Sequence, residues 1–186
     1  MREDTLTKQK RQLLLLLKER ALKRGKVVLS SGRVSDYYLD GRLITLSAQG
    51  AYLAGSIILE LIRHKKITAI GGPTLGADPI VGSVICLAAK KDKRLSGFIV
   101  RKYTKKHGMQ RLVEGPALPR GSRVILVDDV ATSGVSLIQA GKILGMLGIR
   151  VDCAIVIVDR QEGAKENLAK VGMRLISIFK RKDILS

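Results

Sequence analysis

The sequence predicts an α/β fold: a parallel sheet flanked by helices, with a small helix-and-strand subregion at the N-terminus. Three observations predict it. Short apolar runs alternate with longer amphipathic segments from residue 48 onward. Residues 124–127 form an unbroken apolar run and 151–158 a second, nearly apolar one. Turns built from Gly and small hydroxyl residues follow several of these runs. Alternating strands and helices make a doubly wound sheet, strands buried on both faces read as continuous apolar runs, and ligands bind beyond the strands' carboxyl ends.

Residues 5–23 carry leucines and charges without Gly or Pro, which suits an amphipathic helix closed by Gly25. Residues 27–29 and 37–39 are short strand candidates on either side of a polar turn at 30–35. A helix over 48–64 turns its Leu and Ile face inward. A buried strand at 67–70 then runs into a glycine-rich turn at 71–76. Residues 80–91 read as a helix and 97–100 as a strand. Residues 101–121 are too polar for a core and long for a connection, and long loops in small domains tend to carry function. Beyond them come a strand at 124–127, a helix at 136–147, a strand at 151–158, a helix at 164–171 and a last strand at 175–179. With no repeat or linker, residues 1–186 read as a single domain in which 1–45 form the N-terminal subregion.

Composition narrows the classes. Only 3% of residues are aromatic and none is Trp, so Leu, Ile, Val and Ala must supply the packing. Cys86 and Cys153 both sit in apolar runs and read as two buried small hydrophobes in a reducing compartment, not as a disulfide framework or zinc spacing. Leu13 to Leu17 follow basic residues, but the run ends in Lys18, Glu19 and Arg20 without a cleavage site, so it is not read as a signal peptide. Nothing approaches the ~20 apolar residues of a membrane span, and a cytoplasmic protein is expected. The formal charge of +18 points to acidic partners, either a polyphosphate-bearing small molecule or nucleic acid, and charge alone does not choose.

Chemistry is carried by the segment from Val124 to Ser136. A hydrophobic strand delivers Asp128 and Asp129, then Val130, Ala131, Thr132, Ser133, Gly134, Val135 and Ser136 make a turn of small and hydroxyl residues into a helix. Backbone N–H groups and hydroxyls at a helix N-terminus form a phosphate cradle, and Gly134 lets the backbone approach closely. A phosphate alone would call for Lys or Arg. Two carboxylates beside the cradle suit a sugar diol and the positive charge that develops on a ribose ring as its C1 bond breaks. A single Asp here would merely complement the helix dipole; the whole run describes a site for ribose 5-phosphate.

This segment resembles the phosphoribosyl-pyrophosphate motif of type I phosphoribosyltransferases. Two further segments resemble the orotate branch of that family: Val28-Leu-Ser-Ser-Gly32-Arg33-Val-Ser35-Asp-Tyr37-Tyr38-Leu-Asp40, and Arg101-Lys102-Tyr-Thr-Lys105-Lys106-His107-Gly108. Gly71 to Pro79 and Val158 to Gly163 fall where the family has a pyrophosphate-side turn and an orotate-binding Arg, and the similarity runs from about Leu14 to the C-terminus. The resemblance implies transfer of ribose 5-phosphate from phosphoribosyl pyrophosphate to orotate, giving orotidine 5′-monophosphate in pyrimidine biosynthesis. It implies that Arg101, Lys102, Lys105 and His107 contact phosphoribosyl pyrophosphate on a mobile loop, with Lys105 the leading catalytic residue beside Asp128 and Asp129. It further implies that Thr132 and Arg160 bind orotate, that residues 1–45 form part of the base pocket, and that the loop serves the neighbouring site of a homodimer. Mg²⁺ is the implied cofactor, bound mainly through substrate oxygens, so no cluster of protein metal ligands is expected. Bottom-up, five potentially cationic groups within Arg101 to His107 suit a leaving pyrophosphate, whose charge grows in the transition state.

Where many members of the family carry Lys, this chain has Ser30 and, in the glycine-rich turn, Leu75-Gly76-Ala77. Tyr37 and Tyr38 could line the base pocket or fill the core. A purine- or uracil-specific enzyme is a second reading, disfavoured by the two orotate-type segments. A nucleic-acid-binding regulator is a third; the charge favours it, but no helix-turn-helix segment is present, so nucleic acid is not the expected partner.

Overall fold

In the computed structural model, residues 4–28, 34–101 and 112–186 are described. The N-terminal part comprises α1 (Thr5–Leu16), a π-helical turn (Leu17–Ala21) and the antiparallel pair β1 (Leu22–Val28) and β2 (Val34–Leu39), which form their own two-stranded sheet. After the short α2 (Arg42–Thr45) and α3 (Ala48–Leu61) come β3 (Ala69–Pro73), α4 (Asp78–Ala89), β4 (Ser96–Val100) and β5 (Val113–Glu114). The second half is β6 (Arg123–Ala131), α5 (Val135–Met146), β7 (Arg150–Asp159), α6 (Ala164–Lys170), β8 (Leu175–Lys180) and α7 (Arg181–Leu185).

The main sheet has the order β5-β4-β3-β6-β7-β8, with β5 antiparallel at one edge and the other five strands parallel. From β3 the chain moves outward to β4; from β6 it moves outward the other way, to β7 and β8. The crevice at the carboxyl ends of β3 and β6 is therefore the switch point where such sheets bind ligands.

Strand alternation divides the core. Ile125, Val127, Cys153, Ile155 and Ile157 face α1, α3 and α4 on one side, whereas Val124, Leu126, Ala154 and Val156 face α5 and α6 on the other. All nine are at most 1% exposed, which is why these strands read as continuous apolar runs. Leu13 and Leu17 dock the N-terminal helix onto the first layer.

Several boundaries differ from the sequence reading. The first helix does not continue to residue 23: the chain enters β1 at Leu22, and Gly25 is no helix cap. It has φ +128° at the register shift between Arg24 and Val27, where an extra residue bulges the strand. Lys23, Arg24 and Lys26 leave this exposed strand without apolar alternation, so periodicity could not reveal it. Gly71 and Gly72 belong to β3 and not to the turn that follows it; glycine reads as a breaker even where a strand needs close backbone approach. Helix α3 ends at Leu61, Asp128 to Ala131 extend β6, and the short β5 lies inside the polar stretch. Cys153 is buried as expected, but Cys86 is exposed, because Val84 and Ala88 take the inward face of α4.

Candidate active site

The acidic pair stands at the carboxyl end of β6, and each carboxylate is oriented by the next backbone amide. Asp129 N–H donates to Asp128 Oδ1 (3.0 Å) and Val130 N–H donates to Asp129 Oδ1 (2.7 Å). The two acids serve adjoining spaces. Asp128 borders a small pocket of about 60 Å³ lined also by Val130, Ala131, Thr132, Ser133, Gly134, Val135 and Ser136. Asp129 borders a larger cleft of about 420 Å³, shared with Tyr38, Asp40, Arg42, Thr74, Leu75 and Gly76. The expected cradle is thus a continuous turn around a space suited to one compact group, and the cleft beside it has room for a sugar and its substituents.

Glycines make this arrangement possible. A Cβ on Gly76 would lie 2.6 Å from Asp129 Oδ1 and closer still to Asp128 Oδ1; one on Gly41 would lie 2.8 Å from Asp129 Cβ. The turn after β3 therefore closes directly over both carboxylates. Thr74 Oγ1 donates to Asp78 Oδ2 (2.9 Å) and Ala77 N–H to Pro73 O (3.2 Å), which ties that turn to the start of α4. Gly134, with φ +76°, lets the cradle turn into α5, and a Cβ there would collide with Leu168 of α6.

Electrostatics differ between neighbouring acids. Burial pushes the Asp129 carboxyl above the ordinary carboxylate range; the Val130 amide opposes this, and nearby Asp40 adds to it. Asp40 goes the other way, held low first by its hydrogen bonds from Arg42, whose Nε and Nη2 each donate at 2.9 Å. The cleft wall thus presents one well-solvated ion pair and one half-buried acid with a raised proton affinity.

Arg160 lies just past β7, its N–H donating to Ala131 O (2.9 Å), so it emerges beside Thr132. It is 4% exposed, stacks over the ring of buried Tyr37 at 4.4 Å, and donates from Nε to Glu162 Oε1 (2.8 Å) and from Nη2 to Ser35 Oγ (3.1 Å). Asp159 does not pair with it; its Oδ1 accepts from the Gln161 amide at 2.8 Å. Of the two tyrosines, Tyr37 is the buried platform and Tyr38 lines the cleft. Arg101, half-buried at the end of β4, faces Glu114 at 3.6 Å and borders a third pocket of about 300 Å³ that shares Ser136 with the cradle. Lys102, Lys105 and His107 lie outside the described residues, as do Ser30, Gly32 and Arg33.

The phosphoribosyl transferase domain family matches residues 43–181. Orotate phosphoribosyltransferase of Streptomyces coelicolor is 42% identical over 163 residues, 88% of this chain and 89% of that one. The chain belongs to the orotate phosphoribosyltransferase family. The Aquifex aeolicus member is 39% identical, covering 95% of this chain and 98% of that one. A crystal structure of the Mycobacterium tuberculosis member in complex with 5-phospho-α-D-ribosyl 1-diphosphate superposes with a TM-score of 0.80 at 30% identity, over 96% of this chain and 99% of that one. The parallel sheet with flanking helices is the type I phosphoribosyltransferase fold of that family.

The structure gives contacts to residues that the motifs quoted without a role or did not include. Asp40, Gly41 and Arg42 form the cleft wall, Glu162 and Ser35 fix Arg160, and Asn167 Nδ2 donates to Ser133 O (3.0 Å), bracing the cradle from α6. Glu162 sits two residues from Arg160 and could have been suspected. Asn167 is a helix residue whose contact exists only through tertiary packing, and no sequence signal marked it.

Proposed function

We propose that the chain transfers the ribose 5-phosphate group of phosphoribosyl pyrophosphate to orotate, releasing pyrophosphate and forming orotidine 5′-monophosphate, a step of pyrimidine biosynthesis. The observation that carries this reading is the joining of a compact phosphate-sized cradle to a cleft walled by Asp129, with a guanidinium emerging beside Thr132. In the reaction the C1–O bond to pyrophosphate breaks with its electron pair leaving on oxygen, and the orotate ring nitrogen, giving up its proton to solvent, forms the new bond to C1.

In this reading the 5′-phosphate accepts hydrogen bonds from the backbone and hydroxyls of Thr132, Ser133, Gly134 and Ser136, aided by the N-terminus of α5. Asp128 and Asp129 accept from the ribose diol and favour positive charge at C1. Thr132 and Arg160 bind orotate. Nε of Arg160 is engaged by Glu162 and one Nη2 hydrogen by Ser35, which leaves Nη1 and the second Nη2 hydrogen to meet the planar carboxylate. Arg101, Lys102, Lys105 and His107 take the pyrophosphate, with Lys105 stabilising its developing charge, and they act across the interface of a homodimer. Excluding water from the cleft protects the cationic centre from hydrolysis.

Magnesium fits this donor set. The carboxylates of Asp128 and Asp129 are hard oxygen ligands, and the ion retains waters and binds largely through substrate oxygens. Bound there, it would neutralise pyrophosphate charge. Among the described residues no group of three or more His, Cys, Asp or Glu could hold a metal by itself. Among the described helices none is long and apolar enough to cross a membrane. Cytoplasmic residence is part of the proposal, supported by two unpaired cysteines. The test is a competition: given phosphoribosyl pyrophosphate, Mg²⁺ and equal amounts of orotate, uracil and hypoxanthine, the enzyme is expected to consume orotate alone. Preferential consumption of another base refutes the assignment.

A further inference from the structure

The cleft beside Asp129 is walled by acids, yet its proposed occupant is a polyanion. Among the described residues that border it, Asp40 and Asp129 are acids and Arg42 is the one cation. The turn that closes over the acid pair, Thr74 to Ala77, contains no basic residue. Arg160 is not part of this wall; it emerges beside Thr132 and is held by Glu162, Ser35 and Tyr37. Two carboxylates without a neutralising cation would repel a diphosphate. On the described side of the cleft, that cation is Arg42.

The local chain presents Arg42 as an oriented fork. Asp40 accepts three hydrogen bonds from residue 42: from its backbone N–H (3.1 Å) and from Nε and Nη2 (2.9 Å each). The guanidinium is therefore gripped along its side. Its end, Nη1 with the second Nη2 hydrogen, meets no acceptor among the described residues. That end offers two parallel donors, the geometry that matches two oxygens of a phosphoryl group. The Arg42 side chain is 45% exposed, so a ligand in the cleft can reach it. Gly41 brings the fork against the acid pair: a Cβ there would lie 2.8 Å from both Cβ and Oδ2 of Asp129. Arg42 and Asp129 accordingly feel each other, the guanidinium opposing the rise in proton affinity that burial imposes on the acid. Stability does not account for the Asp40–Arg42 pair, because exposed ion pairs contribute little to it. Orienting a guanidinium before its ligand arrives reduces the entropy lost on binding.

We propose that Arg42 binds the diphosphate of phosphoribosyl pyrophosphate, as a cation supplied by the same chain as the 5′-phosphate cradle. The cradle takes one end of the substrate and the acid pair accepts from the ribose between. Arg42 takes the other end, beside the turn at Thr74, Leu75 and Gly76. Its charge offsets Asp40 and Asp129, so the wall keeps its diol acceptors and still admits a polyanion. The inference rests on the reading of the cleft as a site for phosphoribosyl pyrophosphate, and not on which base the enzyme uses.

Calorimetric titration separates the two ends of the substrate. Wild type, Arg42→Gln and Arg42→Lys are titrated with pyrophosphate in the presence of Mg²⁺ and, separately, with ribose 5-phosphate. Arg42→Gln should weaken pyrophosphate binding by about 10- to 100-fold, as expected for a lost charge-assisted hydrogen bond, and leave ribose 5-phosphate within about 2-fold. Arg42→Lys keeps the charge without the fork and should recover part of the loss. In turnover, Arg42→Gln should raise the KM for phosphoribosyl pyrophosphate with the KM for orotate little changed. The proposal is overturned if Arg42→Gln binds pyrophosphate within about 3-fold of wild type, if ribose 5-phosphate is weakened alike, or if the KM for orotate rises instead. A wild type that binds neither pyrophosphate nor ribose 5-phosphate would overturn the reading of the cleft itself, and this inference with it.

Discussion

Gly76→Ala isolates the geometry on which the site depends. The backbone at Gly76 does not have positive φ, so alanine is conformationally allowed there and only space is at issue. The added methyl carbon would stand 2.6 Å from Asp129 Oδ1 and nearer to Asp128 Oδ1, whereas non-bonded heavy atoms prefer about 3.5 Å. Either the turn lifts or both carboxylates retreat, by roughly 1 Å. Misplacement of that size near reacting groups costs about 100-fold, or about 2.7 kcal/mol of transition-state stabilisation. Gly82→Ala provides the matched control: Gly82 is exposed in the interior of α4 with nothing within 4 Å of its would-be Cβ. That change should stabilise the fold by about 1 kcal/mol, raising Tm by about 2–4 °C, with activity unchanged. The assay is steady-state kcat/KM for orotidine 5′-monophosphate formation with calorimetric Tm alongside. A Gly76→Ala enzyme within about 3-fold of wild type would refute the claim that the turn clamps the acid pair.

Asp129→Asn should lower kcat while raising stability at neutral pH. A carboxyl whose folded-state pKa is raised stabilises the fold fully below its unfolded value and loses that contribution as pH rises through the folded value. Asn escapes this loss, so the Tm advantage of the variant should shrink as pH falls toward about 4, the unfolded carboxylate value; differential scanning calorimetry at several pH values reads it. Arg160→Gln should raise the KM for orotate by about 10- to 100-fold, the worth of a charge-assisted hydrogen bond, with little change in KM for phosphoribosyl pyrophosphate. Lys105→Ala should lower turnover more than substrate affinity, and unchanged kcat would remove Lys105 from the mechanism. Gly134→Ala combines a positive φ with a collision against Leu168, so it should weaken 5′-phosphate binding and lower Tm, measurable by calorimetric titration and melting.

The legible parts of this chain were those where one physical demand fixes the residue type. Burial on both faces made residues 124–127 apolar without a break, and β6 and β7 were readable for that reason. The turn from β6 into α5 was readable because small and hydroxyl residues, a left-handed glycine and a helix start fall within a few consecutive residues. What sequence did not disclose depends on partners far along the chain. Strand β1 is polar because it is exposed, so its alternation is absent and its bulge glycine imitates a helix cap. Gly41 and Gly76 are unremarkable until Asp129 is placed between them, and the support of Arg160 by Ser35 spans 125 residues. That Asp128 and Asp129 border different spaces follows from strand alternation, yet the strand reading stopped at residue 127, one residue short of revealing it.

The most direct test of the central claim follows the loss of orotate absorbance in the near ultraviolet, with phosphoribosyl pyrophosphate and Mg²⁺, for wild type and Asp128→Asn/Asp129→Asn. Wild type should consume orotate rapidly, and the double variant should fold yet fail to consume it. Turnover that survives in the double variant, or a wild type inert toward orotate while active on another base, would contradict it.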